Sequence, residues 1–262
     1  MPGMKVMPAV IGFLLWLSCF AASLQAKQTT YVIGIEDINY YPHYDFTGDQ
    51  PRGYFYDLMQ LFSQKSGYQF RFQKLPVKRL YLAAKDDVDF VYPDNPKWQP
   101  YLHATFEKIY SEPLIYTLGS TMVRSAHREL AVANVKSLAI IHGFTPFRWL
   151  ELKKLYNFRI VDVPDVDSAL GLLLKDRVDA AVIEYNVANA FLKAQQRTGE
   201  LVFGENLPFT EVPFLLSTIK HQSVISEFNQ FMRSEKSTIR QLKTRYGLIE
   251  HKTELGQIPP KN

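Results

Sequence analysis

The side chains able to do chemistry stand where apolar runs end. Glu184 closes "VDAAVIE" (178–184), Asp94 follows "VDFVYP" (88–93), and Thr145 and Pro146 follow "SLAIIHG" (137–143). A carboxylate so placed makes charge-assisted hydrogen bonds to an ammonium group. Glu184 has a second reading, as a negative charge at the N-terminus of the helix its successors form. Thr145 before Pro146 marks a helix start whose free N–H groups suit an anion, or is simply the cap of that helix. "YPDNPKW" (92–98) adds Tyr92 and Lys97, a point charge without the planar fork of a guanidinium. The loop "INYYPHYDFTGDQP" (38–51) supplies Tyr40, Tyr41, His43 and Tyr44, whose rings can hold a cation or pack beneath the loop.

Other constellations point away from catalysis. "AKDDVDFVY" (84–92) and "LKDRVDAAV" (174–182) repeat one phrase, and each places an acid, Asp89 or Asp179, at the start of a β-type run. Such acids bond nearby backbone N–H groups, so the repeat reads as scaffold and not as a catalytic pair. The sequence has no Gly-x-Ser-x-Gly elbow, phosphate-binding loop or His-x-x-x-His pair. The histidines at 43, 103, 127, 142, 221 and 251 lack metal-ligand spacing, so no metal and no cofactor is expected.

The elements that must position these groups follow from periodicity. "YVIGIED" alternates as a strand, "GYFYDLMQLFSQKSG" puts Phe55, Leu58, Met59 and Phe62 on one helical face, and "YQFRFQKL" is the next strand. The helix of the first repeated phrase and its strand complete β-α-β-α-β. The second half repeats the order with "SLAIIHG", "TPFRWLELKKLY", "FRIVDV", the second phrase, "YNVANAFLKAQQ" and "ELVFG". Between and after these units, residues 113–124 and 207–219 are long, β-rich and without helical period, so they read as two crossing segments. Helices carrying Phe228, Phe231, Met232, Ile239 and Leu242 follow, and residues 250–262 read as a polar tail that frays. Open α/β sheets bind ligands beyond the carboxyl ends of their strands, which here are "EDINYYPHY", "YPDNPKW", "IHGFTPF" and "IEYN".

Composition narrows the class. Lys5 followed by an apolar stretch at residues 9–22 and "SLQA" has the layout of a cleavable export signal over residues 1–26. Acylation at Cys19 is the alternative, disfavoured by bulky Trp16 and Phe20 beside it. Cys19 is the single cysteine of the 262 residues, so the exported chain relies on its core and not on disulfides. The net charge of +4 falls to +3 when Lys5 leaves, and the basic residues are scattered, which does not support nucleic-acid or membrane binding.

With these pieces in order, the chain resembles the amino-acid-type (family 3) extracellular solute-binding proteins of the type II periplasmic binding protein fold. "GYFYDL" (53–58), "YSEPLIYTLGSTMVR" (110–124), "ALGLLLKDRVDAAVIE" (169–184) and "IRQLKTRYGL" (239–248) carry the resemblance across nearly the whole mature chain. It implies two Rossmann-like α/β lobes joined by two crossing hinge strands: a first lobe over 27–117 and 213–249, and a second over 118–212. It also implies capture of a small polar or cationic solute, amino acid-like or an amine, in the cleft. The solute passes to the membrane permease of an ABC importer or, alternatively, a closed co-receptor signals to a membrane sensor. A monomer in the periplasm is expected. A third reading is an enzyme like the cyclohexadienyl dehydratases, with Glu184 as general acid.

The resemblance places Glu184 where an acid receives the ligand amine, and Tyr41, then Tyr44, where an aromatic stacks on the ligand. The chain departs from it at "YPDNPKW", where an arginine fork normally grips the α-carboxylate and where Tyr92, Asp94 and Lys97 stand instead. Asp94 with Glu184 then suits a ligand bearing two positive groups, or one cation with hydroxyls.

Overall fold

The computed structural model describes residues 29–85, 87–98 and 107–255. The expected export signal at residues 1–26, with Cys19, and the tail beyond residue 255 lie outside the described residues. Alternation produces the first strand, β1 (Thr30–Glu36), which runs from an exposed Thr30 into a buried C-terminal end. A small hairpin, β2 (Asn39–Tyr40) with β3 (Tyr44–Asp45), leads to helix α1 (Tyr54–Ser66), β4 (Gln69–Leu75), helix α2 (Val77–Ala83) and β5 (Phe90–Asp94). Strand β1 lies parallel between β4 and β5.

Helix α1 forms because Phe55, Leu58, Met59 and Phe62 recur at helical spacing, and all four are buried. Fully burying such a side chain stabilises the fold by about 1.5–3 kcal/mol. Gly53, just before the helix, has φ 111°, and a Cβ there would lie 2.8 Å from the Cα of Tyr44. Glycine therefore lets the tyrosine loop press against the helix start.

The second lobe repeats the arrangement. After β6 (Ile109–Tyr110) and the long β7 (Ile115–Arg124), β8 (Ser137–Ile141) is flanked in parallel by β9 (Arg159–Val163) and β10 (Ala180–Glu184). Helices α3 (Phe147–Leu152), α4 (Val166–Leu174) and α5 (Tyr185–Ala194) connect and extend these strands. Strand β11 (Leu201–Phe203) pairs antiparallel with β7, and β12 (Thr210–Thr218) returns the chain to the first lobe. Helices α6 (Gln222–Ser234) and α7 (Lys236–Arg245) follow.

Strands β7 and β12 are the two expected crossing segments. They pair antiparallel with each other, β12 also pairs with β5, and β7 also pairs with β10. The sheet order β4-β1-β5-β12-β7-β10-β8-β9 thus runs unbroken from one lobe through the crossing pair into the other.

Two elements differ from the sequence expectation. The spacing predicts helix α3 across "TPFRWLELKKLY", yet it spans only Phe147–Leu152, and of its residues only Trp149 is buried. Short helices draw their stability from a packed face, and one anchor does not sustain further turns. The start of the expected tail is tied down: the Glu250 carboxylate accepts the Tyr116 N–H of β7 at 2.8 Å, and Glu211 of β12 accepts the Lys252 N–H at 2.9 Å. Lys252 also places its ammonium over the rings of Phe203 and Phe209, at 5.2 and 4.7 Å. Residues 250–255 therefore lie along the crossing strands.

Candidate functional site

A cavity of about 200 Å³ lies between the lobes. Its far wall starts at Glu184, the last residue of β10, which is 3% exposed. Three groups hydrogen-bond the carboxylate: Oε1 accepts the Leu118 N–H at 3.2 Å and an Asn186 Nδ2–H at 2.8 Å, and Oε2 accepts the Val187 N–H at 2.9 Å; His43 Nε2 lies 2.9 Å from Oε2 but outside hydrogen-bond geometry. The Val187 bond makes Glu184 the cap of α5, and the same residue lines the cavity.

The near wall carries a second acid, Glu36, at the end of β1. It is 2% exposed, lines the cavity, and accepts a hydrogen bond from the Tyr44 hydroxyl. Burial pushes its carboxyl up to about 7, the phenols of Tyr44 and Tyr81 pull it down, and the charge of Asp94 pushes it up again. Burial, then the charges of Glu184 and Glu36, hold the Tyr40 phenol well above its usual range, so this ring stays neutral between the two acids. Tyr81 and Trp98 from the first lobe, Phe144 from the second, and Phe209 and Phe214 from the returning strand segment complete a mostly apolar lining.

The lobes touch around this space. Tyr40 meets Phe144 edge to face at 5.7 Å, and a Cβ on Gly143 would lie 3.1 Å from Cβ of Val77. Gly143 has φ 93°, so glycine serves both the turn and the close approach.

The structure distributes the sequence-derived candidates unevenly. Glu184 and Thr145 line the cavity. Thr145 is exposed and does not cap α3, because Pro146 takes that position and the helix begins one residue later than expected. Tyr41 lies outside the lining: it packs against Tyr246 at 6.1 Å and beneath the Arg52 guanidinium at 5.0 Å, while its neighbour Tyr40 faces the cavity. Tyr44 stands one layer behind, stacked on Tyr40 at 5.5 Å. Tyr92 is fully buried and stacked on Phe55, and its hydroxyl has no hydrogen-bond partner among the described residues. Lys97 is exposed and outside the lining.

Asp94 is 1% exposed but is not part of the lining. Its Oδ2 binds the Lys108 ammonium at 2.6 Å and the Ser217 hydroxyl at 2.5 Å, and its Oδ1 accepts the Asn95 N–H at 2.7 Å. It is a neutralised strut between β5 and β12. Glu36 is the first-lobe acid that faces the cavity, and it obeys the strand-end rule applied to Asp94. Phe209 and Phe214 carry no sequence signal beyond their place on a crossing segment.

Among the described residues no group of His, Cys, Asp and Glu could hold a metal ion, and no helix is long and apolar enough to cross a membrane. No protein-family model matches the sequence, and no curated protein matches it. Solved structures do match in shape. An arginine transport-system periplasmic binding protein from Legionella pneumophila superposes with TM-score 0.67 at 17% identity, over 84% of this chain and 100% of that one. A substrate-binding protein of an ABC uptake transporter from Streptococcus pneumoniae, solved with bound histidine, gives 0.68 at 16%, over 85% and 94%. A histidine kinase sensor domain with similarity to periplasmic binding proteins gives 0.68 at 17%, over 86% and 99%. The fold is that of the two-lobed type II periplasmic binding proteins.

Proposed function

We propose that this protein is a periplasmic solute-binding protein that captures a small polar or cationic solute between its lobes and presents it to the membrane permease of an ABC importer. The observation that carries this reading is the pair of buried acids, Glu36 and Glu184, that face one inter-lobe cavity from opposite lobes. Carboxylates desolvated in this way favour a cation that neutralises them. In this reading Glu36 takes the contact expected of Asp94, Glu184 sets the negative potential of the opposite wall, and Tyr40 takes the stacking role expected of Tyr41.

The reading is tested by thermal unfolding of the protein against amino acids, amines, sugars and small carboxylates. A solute at about 100 times its dissociation constant should add about 2.7 kcal/mol of stability. A solute that raises the midpoint in the wild type but not in Glu184→Gln with Glu36→Gln supports the cleft. A midpoint unmoved by the whole panel counts against solute capture.

The likeness to a histidine kinase sensor domain favours a second reading, in which the closed lobes dock on a membrane sensor in place of a permease. Both readings share the cleft chemistry. Pull-down from membranes with and without solute separates them by what the closed protein retains.

A further inference from the structure

The cavity asks for a ligand of mixed character. A carboxylate on the ligand would need a cationic or N–H partner, and the buried ammonium of Lys108 is already bound to Asp94 at 2.6 Å. Among the described residues the one basic side chain in the lining, Arg148, is exposed. Against this stand two buried acids, and Glu184 already accepts three hydrogen bonds from protein N–H groups, with His43 Nε2 2.9 Å from Oε2. Among the described residues Glu36 accepts hydrogen bonds from phenols, those of Tyr44 and Tyr81, so it is the acid better able to receive a cation. The remaining walls are rings, with Trp98 set edge to face on Phe214 at 5.6 Å. The volume of about 200 Å³ is somewhat larger than the roughly 150 Å³ of an engineered apolar cavity that holds benzene.

Resting on the solute-binding reading above, we infer that the cleft takes an aralkyl amine without a carboxylate, its ammonium on Glu36 and its ring among Tyr40, Trp98 and Phe214. A primary amine offers the charge that both acids demand, and its ring replaces water against an apolar wall. A carboxylate on the same molecule would lose hydration in the field of both buried acids, with only the exposed, solvent-screened Arg148 among the described lining residues to offset it.

Proton linkage follows from the position of Glu36. Tyr44 of β3 and Tyr81 of α2 donate hydrogen bonds to it, the phenols of Tyr40 and Tyr92, both held well above their usual range by burial, lie in its field, and Asp94 of β5, the negative charge beside it, is paired with Lys108. Burial pushes the carboxyl up to about 7, and an ammonium binds its ionised form. Capture of the amine then releases a proton below that value, and affinity rises as pH rises. Between pH 6 and 8 the ionised fraction goes from about one tenth to about nine tenths, so the association constant rises about tenfold.

The test is titration calorimetry of the protein with 2-phenylethylamine and with L-phenylalanine, which differ only by the carboxylate, at pH 6 and pH 8 in two buffers of different ionisation enthalpy. The expected result is at least tenfold tighter binding of the amine, a tenfold gain from pH 6 to 8, and a buffer-dependent heat that reports proton release. Glu36→Gln should weaken the amine at pH 8 and abolish the pH dependence. Phenylalanine binding as tightly as the amine overturns the inference while leaving solute capture intact. Amine binding without pH dependence in the wild type overturns it as well, whatever the variant does. Binding of neither overturns it too, and the broad thermal panel then decides separately whether the cleft captures any solute.

Discussion

Asp89 and Asp179 occupy equivalent places in the two lobes, and each carboxylate reaches sideways to the backbone of the neighbouring parallel strand. Asp89 Oδ2 accepts the Val32 N–H of β1 at 2.8 Å, and Asp179 Oδ2 accepts the Ser137 N–H of β8 at 2.8 Å. The backbone answers in kind, since the Asp89 N–H donates to Val32 O and the Asp179 N–H to Ser137 O, at 2.9 and 3.2 Å. The repeated phrase is one register device used twice: it fixes where each central pair of strands begins, and so where their carboxyl ends deliver Glu36 and Glu184.

Removing one of these clamps should cost stability without touching the cleft. Asp179 also accepts the Lys136 N–H and the Ser137 hydroxyl. Asp179→Ala should therefore lower the free energy of unfolding by about 1.5–3 kcal/mol, the range for hydrogen bonds to a charged group. Urea unfolding would read this as a lower midpoint with unchanged slope. Ligand affinity should hold; a loss in affinity larger than the loss in stability would mean that the clamp acts on the site.

Lys108 and Asp94 are both almost completely buried, with side chains 4% and 2% exposed. Cutting one member of such a pair strands a charge in the interior. Lys108→Met should destabilise the protein by about 3–5 kcal/mol. Adding Asp94→Asn to Lys108→Met should recover part of that loss. A Lys108→Met protein as stable as the wild type would mean that Asp94 is not held as an ion.

The sheet architecture was legible because alternation and helical spacing are local signals, and the order of elements then left few topologies. Strand ends were legible for the same reason, so the acids that face the cavity both lie at positions the sequence marks. What the sequence did not settle is which neighbour turns inward. Tyr40 and Tyr41 are adjacent on a loop with no period, and only the contact with Phe144 from the other lobe distinguishes them. Asp94 looked available because its counter-ion, Lys108, comes from a stretch with no motif. The fate of residues 250–255 depends on Glu211 and Tyr116, which are remote in sequence.

The clip of residues 250–255 on the crossing strands should weaken at both ends of the pH scale. Hydrogen bonding to Glu211 raises His251 above its ordinary value of 6.5, and the same contact lowers Glu211 below its ordinary 4.5. The histidine contribution is full below pH 6.5 and is lost as pH rises through its raised value. The glutamate contribution is full above pH 4.5 and is lost as pH falls through its lowered value. The clip should be firmest between about pH 4.5 and 6.5. Amide exchange at 250–255, corrected for intrinsic rate, should be faster at pH 8 than at pH 6, and His251→Gln should remove the difference. Equal protection at both pH values in the wild type would exclude the ion pair as the source of order there.

Glu36 makes the ligand-free protein pay for its own binding site. Its carboxyl is raised from 4.5 to about 7 by burial, so the native state holds a proton that the unfolded chain releases. Stability from this group is complete below pH 4.5 and is lost as pH rises through about 7. Above that the penalty approaches about 3 kcal/mol, because a tenfold difference in proton affinity corresponds to about 1.36 kcal/mol. Glu36→Gln keeps the shape and hydrogen bonding of the protonated acid, so without ligand it should be more stable than the wild type at pH 8 and nearly equal to it at pH 4.5. Chemical denaturation at the two pH values measures the difference directly. A variant less stable than the wild type at pH 8 would show that the Glu36 carboxylate is compensated in the empty cleft, and a cation would then gain little by meeting it.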